Sequence, residues 1–182
     1  EFSRIWIVDD ANRALSGSLS DPKWLSADIE ISYLGAQSSL DKMACDNKYE
    51  IAAILSGPEP QRTFLEEELC KKLARLNLKS ILVQGSKSAE QIISNDNLEI
   101  IPFADAPLLS KIICSSEMMI CRSGYSTIMD LAKLGGNALF VPTPGQTEQI
   151  YLAKRLQYQK LAQYQKQGKI DIEHAWSQKI DF

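Results

Sequence analysis

The 182-residue chain has one histidine, His174, and four cysteines, none spaced as Cys-x-x-Cys. That content fits no zinc-site spacing. It also excludes a Ser-His-Asp or Cys-His mechanism, unless His174 swings in from the terminus. Cys45, Cys70, Cys114 and Cys121 sit in apolar or helical surroundings and read as reduced core thiols of a cytosolic protein. No apolar run approaches the ~18 residues of a membrane-spanning helix, and Lys111 interrupts the likeliest stretch. Charge of one sign is scarce: 20 basic against 23 acidic residues, net −3. Such a balance gives no basic field for a nucleic-acid partner. A signal-peptide pattern is absent too. The chain opens on Glu1-Phe2 without an initiating Met, and reads as a piece of a longer protein.

What is there is ordinary for a globular domain: 45% hydrophobic and 24% charged residues. A chain this long buries enough surface to need no disulfide or metal staple. Residues 1–48 are the least regular part and read as an interdomain linker with leading strands. Ile5–Val8 and Ile29–Leu34 are the strand candidates, separated by a polar loop over 9–22. From residue 49 a strand–helix rhythm sets in. Apolar runs at 51–55, 81–83, 98–101, 118–121 and 138–141 are of buried-strand type. Helical periodicity covers 62–77, 107–114, 125–134 and a long stretch at 147–167. Thr63-x-x-Glu66 has the spacing of a capping box. The alternation defines an α/β fold over 49–182: a Rossmann-like parallel β-sheet flanked by helices on both faces.

In such a sheet, ligands bind where the strands end. The candidate loops are therefore 56–62, 84–88, 102–107, 122–127 and 142–149. The richest is Arg122-Ser123-Gly124-Tyr125-Ser126-Thr127, which leaves a strand and opens a helix. Free amides, a glycine and the hydroxyls of Ser123, Ser126 and Thr127 suit a phosphate; an ordinary Ser/Thr helix cap would read the same. Asp130 shares a helical stripe with Ser123 and Thr127, so its carboxylate can accept from a ribose diol or stand in solvent. The turn from Pro142 to Gln149 offers Gln146, Glu148 and Gln149, groups suited to sugar hydroxyls or to a polar first helical turn. Gly57-Pro58-Glu59-Pro60-Gln61-Arg62 is a glycine loop without the Walker pattern. Glu66, Glu67 and Glu68 crowd the next turn. Arg62 is either their compensating cation at a ligand or a surface residue.

Three stretches together are more specific. Ile101-Pro102-Phe103-Ala104-Asp105, then Met119 through Asp130, then Ala138–Pro142 with Gln149-Ile150-Tyr151, follow one another in a distinctive order and spacing. This pattern, over about 50–165, resembles the C-terminal, donor-binding domain of glycosyltransferase family 28. The resemblance implies the C-terminal half of a GT-B glycosyltransferase of cell-envelope glycan synthesis. It implies a UDP-sugar donor, a hexose such as N-acetylglucosamine, and no metal or other cofactor. Phe103 and Ala104 would meet the uracil. Ser123, Gly124, Ser126 and Thr127, with Gly57 and Arg62, would lie near the diphosphate. Asp130 stands at the family's ribose-binding Glu. Gln149, with Gln146 nearby, would hold the sugar. The family's second glutamine is Ile150 here, and its Gly-Gly-Ser-type loop is Ser56-Gly57-Pro58-Glu59. The resemblance further implies an N-terminal acceptor domain of the same protein carrying the general base, so no catalytic residue falls in this chain. It implies cytoplasmic placement, with peripheral association at the inner face of a membrane through that domain. Two alternatives stay open: a non-catalytic donor-binding subunit with a separate acceptor chain, and a nucleotide-sugar epimerase of the same fold.

Overall fold

The computed structural model describes residues 3–23, 25, 29–86, 93–94 and 97–180. Residues 87 and 88 of the expected 84–88 loop lie outside the described residues. The order of elements is β1 (Arg4–Ile7), a 3₁₀ turn (Gly17–Ser20), β2 (Glu30–Tyr33), β3 (Tyr49–Ile54), α1 (Gln61–Leu73), β4 (Ser80–Val83), β5 (Ile93–Ser94), β6 (Leu98–Ile101), α2 (Ala106–Cys114), β7 (Ser116–Cys121), α3 (Tyr125–Leu134), β8 (Asn137–Phe140), α4 (Thr147–Tyr158), β9 (Gln163–Tyr164) and α5 (Ile172–Ser177).

The main sheet runs β5-β6-β4-β3-β7-β8-β9. Six of its strands are parallel; only the two-residue β5 is antiparallel. Leaving β5 aside, the parallel strands taken in chain order lie as 3-2-1-4-5-6, the doubly wound Rossmann arrangement. The central strand β3 is apolar on both faces because both are covered. On one face Ile51 and Ala53 meet Leu65, Leu69 and Leu73 of α1 and Ile172 and Ala175 of α5. On the other, Met119, Cys121 and Phe140 meet α2, α3 and α4 through Ile113, Ile128, Leu131, Leu152 and Leu156. The order reverses between β3 and β7, so the loops leaving those strands diverge to opposite faces and open a crevice between them.

Three local expectations are corrected. The helix expected to 167 stops at Tyr158. Lys160 takes a left-handed φ of 58°, and the Leu161 amide donates back to the Leu156 carbonyl at 3.0 Å. That closure ends the helix and returns the chain as β9 against β8. Helix α1 likewise stops at Leu73, short of 77, leaving Leu76 half-buried beyond it. The capping box does not form: α1 starts at Gln61, so Thr63 is already inside it. The Glu59 carboxylate accepts instead from the Thr63 amide (3.2 Å) and hydroxyl (2.8 Å). Glu66 accepts from the Gln84 side chain at 2.6 Å.

The leading segment is more ordered than a linker. β1 and β2 pair in parallel as a separate two-stranded sheet. Asp9, fully buried, accepts from the amides of Asp10, Leu15 and Ser16 and from the hydroxyls of Ser16 and Ser20. Burial alone would raise its pKa, but the Ser16 hydroxyl and these amides outweigh it and hold the carboxyl below its usual range. The loop so folded straps onto α4. The Ser18 amide donates to Tyr151 Oη (2.9 Å), and Arg155 and Gln159 donate to the Ala14 carbonyl. Gly17, at φ 59°, has no room for a side chain: a Cβ would sit 2.4 Å from Tyr151 Oη.

Candidate functional site

A cavity of about 210 Å³ opens at the carboxyl end of the sheet, beside the crevice. Its floor is apolar, with Ile113, Met119 and Leu109. The ends of β3 and β4 supply Leu55, Ser56 and Gly85; the loop after β6 supplies Phe103 and Ala104; α3 supplies Thr127 and Asp130. Gly85 is required there. At φ 69° its missing Cβ would stand 2.4 Å from the Leu55 carbonyl oxygen, so the β4 loop closes on β3 only without a side chain.

The Phe103–Ala104 loop is held by the helix it feeds. Asp105 caps α2, accepting from the Leu108 amide at 3.0 Å. Ala104 is buried at the wall, and Phe103 stays 44% exposed at the rim. An apolar slot edged by backbone suits a planar base. Asp130 is the carboxylate of the cavity. One of its oxygens, Oδ1, accepts from the Ser38 hydroxyl at 2.5 Å. Cys121 stands in the same wall; burial, with the Asp130 charge adding, pushes its thiol up to about 12. It is a neutral wall residue and no nucleophile at neutral pH.

The other expected residues gather beyond this cavity. Gly124 caps α3 with backbone alone, no side chain bonding to the first-turn amides. Ser123 is fully buried and its hydroxyl donates to the Gln149 carbonyl at 2.8 Å, tying the start of α3 to the start of α4. The Gln149 side chain turns its Oε1 to the Thr143 amide at 2.8 Å, which leaves its Nε2 as the donor end of the amide. Gln146 caps α4 without a side-chain bond, and Ser126 is exposed on α3. Arg62 donates to the Gln84 carbonyl at 2.7 Å and pairs with Glu59 and, at 3.7 Å, with Glu66. Its charge is thus compensated by its own helix and loop. Gly57, at φ 100°, has only Thr143 Oγ1 in the direction of a side chain, at 3.6 Å.

Two residues of the site escape the sequence pattern. Arg122, 1% exposed, donates to the Val141 carbonyl and to the Gln61 carbonyl, both at 2.9 Å. It welds the ends of β7 and β8 to the start of α1. Burial lowers its pKa to about 10, so it remains a cation at neutral pH, with no ion pair among the described residues. An Arg directly after a buried apolar strand is the signal that could have found it. Ser38 lies in the segment read as linker, and nothing local marks it.

The topology and the site define an open, doubly wound α/β domain with an apolar slot and a carboxylate at the carboxyl end of its sheet, beside the start of α3. Residues 61–178 match the glycosyltransferase family 28 C-terminal domain, and the chain belongs to that family. The UDP-N-acetylglucosamine–N-acetylmuramyl-(pentapeptide) pyrophosphoryl-undecaprenol N-acetylglucosamine transferase of Burkholderia thailandensis is 36% identical over 63 residues. That match covers 35% of this chain and 17% of the relative. A crystal structure of MurG from Acinetobacter baumannii aligns over 84% of this chain and 48% of its own, with 21% identity and a TM-score of 0.56. The glycosyltransferase of kitacinnamycin aligns over 96% of this chain and 45% of its own, with 13% identity and a TM-score of 0.63. VinC, solved in complex with DTDP, aligns over 78% of this chain and 35% of its own, with 14% identity and a TM-score of 0.51. These likenesses establish the fold as the C-terminal half of a GT-B glycosyltransferase. The chain spans less than half the length of each of these relatives.

Proposed function

We propose that the chain is the donor-binding half of a UDP-sugar-dependent glycosyltransferase. The observation that carries this reading is the cavity at the switch point, where Ala104 and Phe103 offer an apolar slot and Asp130 and Thr127 offer polar groups. The uracil takes the slot and the ribose hydroxyls take Asp130. The diphosphate lies toward the backbone of Ser123 and Gly124 at the start of α3, where unbonded amides and the helix dipole favour an anion. Ser126 and Thr127 add hydroxyls, and Gly57 leaves its side of the crevice uncrowded. The hexose meets the start of α4, where Gln149 presents its Nε2 and Gln146 stands one turn earlier. N-acetylglucosamine is the sugar suggested by the Burkholderia relative, whose printed name states that transfer.

Negative charge grows on the departing UDP. Preorganised donors aimed at that charge lower the barrier, and here they are the α3 amides, in a loop that also carries the buried Arg122 cation. Arg62 contributes less directly, since Glu59 and Glu66 already compensate it. No metal is called for. The general base belongs to an N-terminal acceptor domain, with residues 49–182 as the donor domain and 1–48 leading into it. Among the described residues no helix is long and apolar enough to cross a membrane. The reading places the protein in the cytoplasm, meeting the inner face of a membrane through the acceptor domain. Calorimetry with UDP, GDP and TDP tests it: selective binding of UDP is expected, and equal or absent binding of all three overturns it.

A further inference from the structure

We propose that Ser38 is a positioning residue for the donor nucleoside: its hydroxyl aims the Asp130 carboxylate at the ribose. The proposal rests on the donor reading above. Ser38 is 92 residues from Asp130 in sequence, yet its Oγ donates to Asp130 Oδ1 at 2.5 Å. That direction is enforced. The same Oγ accepts from the Leu40 amide at 3.0 Å, which points the hydroxyl proton away from its own backbone and toward the carboxylate.

The segment carrying Ser38 is itself pinned along α2 and α3. Leu40 is 3% exposed and packs with Ile113, Ile128 and Leu131. The Asp41 amide donates to Ser110 Oγ at 3.2 Å. Lys133 donates to the Ser38 carbonyl at 3.3 Å and pairs with Asp41 at 3.2 Å. Ser38 is therefore delivered to Asp130 by an anchored stretch of chain. An aspartate has a short arm and rotates about two bonds. Holding one oxygen at a charge-assisted bond length fixes the plane of the carboxylate and leaves Oδ2 for the cavity that Asp130 lines. A bare Asp130 would lose rotameric freedom only when the ribose arrives; Ser38 removes that freedom beforehand.

Two other roles make different predictions. A staple that merely holds the 38–43 segment would alter melting and leave ribose discrimination alone. A latch that competes with the ribose would tighten nucleotide binding when removed. The experiment titrates UDP and 2′,3′-dideoxy-UDP into the wild-type chain, Ser38→Ala, Ser38→Thr and Asp130→Ala, with melting temperatures alongside. The expected result is that Ser38→Ala weakens UDP about three- to ten-fold while dideoxy-UDP is unchanged, so the ratio between them narrows. Ser38→Thr, which keeps the hydroxyl, restores the ratio. If Ser38→Ala lowers the melting temperature, the titrations are run below its unfolding onset, where the UDP to dideoxy-UDP ratio of the folded variant still decides. An unchanged ratio in Ser38→Ala beside a collapsed ratio in Asp130→Ala overturns the proposal and spares the donor reading. Tighter UDP binding by Ser38→Ala also overturns it. No UDP binding by wild type, or an Asp130→Ala ratio equal to wild type, overturns this proposal together with the ribose assignment beneath it.

Discussion

Around the cavity the walls are side chains facing open space; on the β7–β8 side Arg122, Ser123 and Gln149 are already bonded to other parts of the loop edge. Phe103, Ala104 and Thr127 line the first with surface available to a ligand. Ser123, Gln149 and Arg122 knit the second together, each bonded to backbone. The difference fits two kinds of recognition. A base and a ribose are read by side chains and shape. A diphosphate is held by backbone amides, and amides need a scaffold that keeps them aimed. On this reading the side chains of the β7–β8 half act on the ligand through the backbone they fix.

The comparison breaks most severely at Arg122. Arg122→Met removes the donor from the buried Val141 carbonyl and the part-buried Gln61 carbonyl, at ~1–3 kcal/mol for a buried group left unsatisfied. Urea unfolding should show a loss of about 3 kcal/mol or more. A variant as stable as wild type would mean that the weld is dispensable. The next effect belongs to the open half. Asp130→Ala should cost UDP ~1.5–3 kcal/mol of binding, with only a small fall in melting temperature from the lost Ser38 bond. Normal binding by this variant would leave Asp130 with its bond to Ser38 and no part in holding the ribose.

Gln149→Ala tests the boundary between the two plans. UDP affinity should stay unchanged, while the preference for UDP-sugar over UDP falls by one neutral hydrogen bond, ~0.5–1.5 kcal/mol. The Thr143 amide also loses its acceptor, so stability should drop by about 1 kcal/mol. Paired titrations with UDP and several UDP-hexoses separate these effects; equal losses for both ligands would remove Gln149 from the sugar. The smallest expected effect is none. Among the described residues no three His, Cys, Asp or Glu side chains gather into a possible metal site. UDP binding should therefore be the same in EDTA and in Mg²⁺, and a Mg²⁺ requirement measured by calorimetry would add a cation to the diphosphate side.

The sheet was legible because its central strands are unbroken apolar runs, and a strand buried on both faces cannot be written otherwise. The edge was not. β9 is two residues, Gln163 and Tyr164, and carries no pattern. The stop of α4 depends on Lys160 turning left-handed, in a stretch of Gln, Lys and Leu that is composed like a helix. Asp130 was legible from its stripe on α3. Its partner Ser38 was not, since a hydrogen bond across 92 residues leaves no local trace. Arg122 was in plain view as the residue after a buried strand; what the sequence hides is that its two acceptors come from β8 and α1. The engagement of Ser123 by the Gln149 carbonyl is tertiary in the same way.

The strap around Asp9 has a mechanical consequence. Its loop is fastened to α4 through Tyr151, Arg155 and Gln159, and the Tyr125 hydroxyl at the first residue of α3 donates to the Val8 carbonyl just past β1. The chain just past β1 is thus clamped to the first residue of α3 and along α4 from Tyr151 to Gln159. A pull on the small β1–β2 sheet reaches the start of α3 and the body of α4 through these bonds, as a rigid lever would deliver it.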